Sequence, residues 1–163
     1  MAFDAYLKLD GVEGEATRSG FEKQIFLDSF SFGAHNPTSP VGSGAGAGRV
    51  EISNFTASKK TDKSSPKLFQ ACCAGKHFPK ATLTLMKAGG DNPVDYLKYD
   101  FTELFVQDLQ WAGSSGGDDT PAETVAFAFS SVQVTYTEQK KDGSKGAAIV
   151  AGWDLKGAKP IGG

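Results

Sequence analysis

The 163-residue chain is poor in the residues from which most active sites are built. It holds two cysteines and two histidines. Zinc sites place paired thiolates so that both reach one ion from a tight turn. Here Cys72 and Cys73 are adjacent, His77 follows them, and His35 is the other histidine. Neighbouring cysteines on a helix point about a third of a turn apart, and a disulfide between them is strained. Spacing alone leaves cysteine–histidine chemistry open. The plainer reading is two thiols packed as small apolar groups where a helix stops and a strand begins. No metal and no cofactor is expected.

Strong charge of either sign is also missing. Seventeen Lys and Arg face nineteen Asp and Glu, for a net charge of −2. No basic stripe is visible, which argues against a nucleic-acid partner. No apolar run approaches the ~18 residues that cross a bilayer as a helix, so no membrane insertion is expected. The opening "MAFDAYLKLD" lacks the basic start and apolar stretch of a secretory leader. The expectation is synthesis in the cytoplasm and, if the protein leaves, export without a cleaved signal peptide.

Two fingerprints match by letter only. "GSGAGA", from Gly42 to Ala47, fits a dinucleotide loop, but "RVEISNFTAS" after it reads as a strand instead of a helix. "GSSGG" places Ser115 in a nucleophile-elbow pattern, yet no histidine follows Ser115. Asp91, Asp118 and Asp119 sit in turn sequences. No catalytic constellation assembles, and the expectation is a protein that is not an enzyme.

Period-two alternation is abundant. Phe3, Ala5, Leu7 and Leu9 share one parity, Leu83 and Leu85 another, and Ile149, Ala151, Trp153 and Leu155 a third. Phe26, Phe30 and Phe32 also share a parity, with Ser29 and Ser31 opposite. In "VAFAFSSVQVTYT" the phase changes at Ser130–Ser131, where a bulge is expected to bend one long strand. One helix is expected in "DKSSPKLFQACCAG", with Ser65 as N-cap, Pro66 first and Gly75 as the left-handed stop. Twelve Phe outnumber two Met and two Trp, so aromatic rings are expected to fill the core. Ser29, Ser31, Thr82, Thr84, Gln133, Thr135 and Thr137 make small polar faces that suit a wetted surface. The fold class is mostly β: one domain over residues 1–163, an antiparallel two-sheet β-barrel with one flanking α-helix.

Longer motifs add a resemblance. "AFDAYLKLDGVEGEAT", "KKTDKSSPKLFQACCAGKHFPKATLTLMKAGG", "VQVTYTEQKKDGSKG" and "GWDLK" together resemble the haemolysin-coregulated protein (Hcp) family, tube subunits of the type VI secretion system. The resemblance covers essentially the whole chain. It implies a β-barrel that assembles with itself into hexameric rings, which stack into a tube similar to a phage tail tube. It further implies a VgrG-type spike, a contractile sheath and small effector proteins held in the ring lumen as partners. It brings no catalytic residue and no cofactor. On this resemblance Ser29 and Ser31 are expected on the lumen wall. The long loop of Asn36, Pro37, Thr38, Ser39, Pro40, Val41, Gly42, Ser43, Gly44, Ala45, Gly46, Ala47 and Gly48 is the expected ring-stacking element, because its glycines permit ordering on contact. A phage tail-tube protein and a monomeric ligand-binding β-barrel are the alternatives.

Overall fold

The computed structural model describes residues 3–37, 49–87 and 93–162. Twelve strands and one helix follow one another there. They are β1 (Phe3–Leu9), β2 (Ile25–Leu27), β3 (Ser29–Ser31), β4 (Ala34–His35), β5 (Glu51–Ile52), β6 (Phe55–Lys60), α1 (Ser65–Ala74), β7 (His77–Lys87), β8 (Asp95–Ala112), β9 (Ala122–Ala128), β10 (Ser131–Gln139), β11 (Lys145–Asp154) and β12 (Lys159–Ile161). The class is mostly β, as the alternation requires.

The 18-residue β8 is the spine. Its first half pairs β7 on one side and β10 on the other, and its second half pairs β9. One path runs β12-β11-β10-β8-β7-β1-β2, and a branch runs from β8 through β9 and β6 to β3. Every pairing is antiparallel. The result is a ten-stranded sheet beside the small β4–β5 hairpin, with no ladder that formally closes a barrel. Closure comes within one residue. β2 pairs β1, β3 pairs β6, and Asp28 alone separates β2 from β3.

Asp28 also inverts the strand. Ile25 and Leu27 point into the core before it, whereas Phe30 and Phe32 pack against the core after it. Phe26 therefore does not share a face with Phe30 and Phe32. It is 43% exposed and lies edge-on to Tyr6. The alternation misled because it assumes an unbroken strand.

The expected bulge at Ser130–Ser131 is a strand break instead. Phe129 and Ser130 part β9 from β10, yet both strands hold one register against β8, with Ala128 opposite Phe105 and Ser131 opposite Thr102. Facing the gap, Glu103 takes the left-handed conformation at φ 50°. The Ser130 N–H donates to the Thr102 carbonyl at 2.9 Å, and the Leu155 N–H donates to the Ser130 carbonyl at 2.8 Å, so the break is bonded. The register shift lies in β8, between Val106 and Asp108.

The core is aromatic as expected. Phe55 packs on Phe101 at 4.9 Å and on Phe127 at 5.8 Å, and all three are fully buried. Each such ring contributes roughly 1.5–3 kcal/mol by leaving water. Helix α1 adds Leu68 and Ala71 to this cluster. Its cap falls one residue earlier than expected. Ser64 is the N-cap, Ser65 the first helical residue, and Pro66 still lies in the first turn. Ser64 makes no side-chain cap because its hydroxyl turns back to Asp62 Oδ1. Gly75 closes the helix at φ 65°, as the glycine stop requires.

The wing of β10, β11 and β12 reaches past the core. Ile149 is 70% exposed and Ala151 is exposed, so of that expected half-buried row only Trp153 and Leu155 are partly covered. β11 pairs on both sides, but no core ring lies over its outer part.

Candidate functional site

Four strands build one face that is polar but for Ala126. Ser29 pairs Ser58, Ser58 pairs Thr124, and Thr124 pairs Gln110. The next rung runs Ser31, Thr56, Ala126 and Asp108. All eight side chains are exposed or half-buried. The opposite face of the same strands carries Phe30, Phe55, Ala57, Val125 and Phe127 in the core. Period-two geometry makes this division: one parity dry and aromatic, the other wet and small. At one margin the Gln110 amide donates to Asp108 Oδ2 at 3.1 Å. Ser29 and Ser31 are thus exposed members of a larger surface.

The other expected polar positions are not all wet. Thr84 is buried, and Thr82 donates to Asp100 at 2.8 Å. Thr84 pairs Tyr6, and Phe21 stacks on Tyr6 at 4.6 Å, which covers that part of the sheet. Gln133, Thr135 and Thr137 are half-buried. Of the expected stacking loop, Asn36 and Pro37 are exposed. Thr38 to Gly48 lie outside the described residues, as does Asp91.

Cys72 is half-buried against the core, whereas Cys73 is exposed, so apolar packing describes Cys72 alone. The His77 ring lies on Phe105 at 4.8 Å. An open cleft of about 670 Å³ holds His77, Glu103 and Ser130 together with Arg49 and Lys156. Ser130 Oγ donates to the Thr102 carbonyl at 3.3 Å, and Lys156 donates to Glu103. Among the described residues no hydrogen bond joins His77 to Ser130. The Lys156 hydrogen bond holds the Glu103 carboxyl below its ordinary value. Ser115, Asp118 and Asp119 sit exposed in the turn between β8 and β9. No group of three or more His, Cys, Asp or Glu side chains among the described residues is placed to hold a metal ion.

A buried polar network escaped the sequence reading. Lys59, at 2% exposure, reaches Asp62 Oδ1 at 2.9 Å, Ser65 Oγ at 3.1 Å and the Lys60 carbonyl at 3.2 Å. Glu123 is fully buried, with Oε1 3.5 Å from Lys59 Nζ. Its Oε2 accepts from Ser65 Oγ and, at 2.9 Å, from the Trp111 indole N–H. Glu123 Oε1 has no hydrogen bond, so the ion pair with Lys59 is its compensation. The signal was present in the alternation. Lys59 shares the parity of Phe55 and Ala57, and Glu123 that of Val125 and Phe127. Two opposite charges on dry parities of adjacent strands read as a pair. The network also explains "DKSSP": Asp62 and Ser65 fasten the start of α1 to β6 and β9.

Residues 6–136 match the family described as "type VI secretion system effector, Hcp". The chain belongs to the Hcp family. It is 39% identical over 158 residues to Protein hcp1 of Pseudomonas aeruginosa, covering 96% of this chain and 97% of that one. Solved Hcp-family structures share the fold. A type six secretion system protein superposes with a TM-score of 0.92 at 34% identity, over 98% of this chain and 100% of its own. Hcp1 from Salmonella typhimurium gives 0.83 at 37% identity, over 99% and 100%. The family match runs from β1 into β10, and the whole-chain relatives extend the likeness across β11 and β12. The Hcp family supplies structural tube proteins to type VI secretion and is not an enzyme family.

Proposed function

We propose that this chain is a structural tube subunit. Six copies close into a ring, rings stack into a tube, and small effectors travel against the inner wall. A VgrG-type spike caps that tube, a contractile sheath drives it, and the subunit leaves the cytoplasm without a cleaved leader.

The observation that carries this reading is the four-stranded face from Ser29 and Ser31 to Gln110 and Asp108. A wall that holds cargo and lets it go needs contacts that are individually weak. Small hydroxyls offer hydrogen bonds worth about 1 kcal/mol each and little apolar area. The other alternative, a ligand-binding barrel, needs a cavity where this chain has Phe55, Phe101, Phe127, Leu83 and Leu104 fully buried. A phage tail tube would obey the same physics, and genetic neighbourhood distinguishes the two.

Ser31→Arg projects a long cation from the wall. Rings are expected to persist by native mass spectrometry while co-purified effector is lost. Full effector retention would contradict the placement. Deletion of Ser43 to Gly48 is expected to spare rings but abolish stacked rings in negative-stain images. Broken rings would contradict the stacking role.

A further inference from the structure

The strand break leaves an opening outside the core. Phe129 and Ser130 part β9 from β10, and both line the cleft of about 670 Å³. The walls of that cleft are largely apolar, made by Phe105, Ala128, Phe129 and Leu155, with the His77 ring lying on Phe105 at 4.8 Å. Besides His77, its charged groups are Arg49, Lys156 and Glu103. Lys156 is engaged by Glu103. Among the described residues no carboxylate pairs with Arg49. Arg49 and Leu155 also border a second cleft, of about 630 Å³, where Ile52 and Trp153 are apolar walls. One guanidinium thus borders two apolar seats. Glu103 meanwhile holds a left-handed backbone that is costly for a residue with a side chain, and such outliers cluster at ligand clamps.

We propose that these adjoining clefts bind a carboxylate carried on apolar groups, with Arg49 as the residue that reads the carboxylate. The inference concerns one protomer and does not rest on the ring. A guanidinium presents two parallel N–H donors that match the two oxygens of a carboxylate, and it stays charged in apolar surroundings. Clefts of several hundred Å³ with apolar walls and few polar groups suit small acids and peptide ends. The charge of the site narrows the class further. With His77 neutral, two cations and one carboxylate leave a single positive charge, which suits a monoanion. Glu103 opposes a second negative group on the ligand. A peptide carboxy-terminus with two apolar side chains offers one group to each cleft, whereas a free aryl acid offers one in all.

The test uses the full chain at low micromolar concentration and saturation-transfer NMR, which reads ligand binding whatever the size of the assembly. The probes are N-acetyl-leucyl-phenylalanine, its carboxy-terminal amide, 3-phenylpropionate and acetate. The dipeptide acid is expected to bind with a dissociation constant at least about tenfold below that of its amide, since a hydrogen-bonded charge is lost in the amide. Acetate, which has the charge without the apolar body, is expected to show no saturable binding. Arg49→Gln is expected to weaken the acid about tenfold and to leave the amide unchanged, with an unaltered far-ultraviolet dichroism spectrum. Glu103→Gln is expected to tighten the acid severalfold, because it removes the opposing charge and releases Lys156 toward the ligand. A merely structural role for Glu103 gives no such gain. Tighter binding of the dipeptide than of 3-phenylpropionate assigns the site to peptide ends, and the reverse order assigns it to small aryl acids; either order keeps Arg49 as the reader. Equal affinity for acid and amide, an Arg49→Gln protein that binds the acid as tightly, or no transfer to either aromatic acid at millimolar probe would overturn the proposal.

Discussion

Lys59 and Glu123 show what single residues can do against the grain of their strands. Each stands where the alternation calls for an apolar side chain, and each is buried. Removing one partner strands the other charge, which costs about 3–5 kcal/mol in buried pairs. Lys59→Met is thus expected to lower the urea midpoint by that stability with an unchanged slope. A loss under about 1 kcal/mol would show that water reaches Glu123. A second residue-scale effect is set by acid. Burial alone would raise the Asp95 carboxyl, but the Lys145 hydrogen bond and charge, with help from Lys98, bring it below its ordinary 3.8. A carboxyl depressed in the fold stabilises above its unfolded value and loses that contribution as pH falls through the folded one. Melting temperature is expected to fall as pH drops below that ordinary value, and Lys145→Met to flatten that fall. An identical acid limb in both proteins would remove Asp95 from the account. Lys59 and Glu123 stand on the core parity of their strands, a signal that went unread in the sequence. Their partner Trp111 was not legible, because its hydrogen bond depends on the β8–β9 register.

At the scale of elements, local chemistry was legible wherever one residue decides it. Gly75 ends α1 as its sequence position requires, at a left-handed φ that costs a side-chain-bearing residue about 1–2 kcal/mol. Gly75→Ala is expected to destabilise by that amount in thermal unfolding, with no change in ring mass. A neutral result would mean that the helix end relaxes. Elements whose shape depends on a partner strand were read less well. The phase change near Ser130 was visible, but its cause was not. The facing strand carries a left-handed Glu103, and the Leu155 N–H donates to the Ser130 carbonyl in the gap. Phe26 was misplaced for the same reason, since Asp28 inverts a strand that looks continuous. The exposed row of Ile149 and Ala151 alternates like a core strand. Only tertiary placement shows that no core lies beneath it.

At the scale of the whole molecule, the protomer has a dry interior and a wet sheet face. The rings of Phe55, Phe101 and Phe127 fill the centre of the core, and the polar sheet face lies outside it. The family motifs were legible from end to end, from the first strand to Trp153 and Leu155. The face from Ser29 to Gln110 was not, because four strands distant in sequence compose it. The central claim is that six copies close a ring. Native mass spectrometry of the purified chain at low micromolar concentration tests it most directly, with negative-stain imaging of the same sample. A sixfold mass and rings with an open centre are expected. A monomer that persists as concentration rises would contradict it.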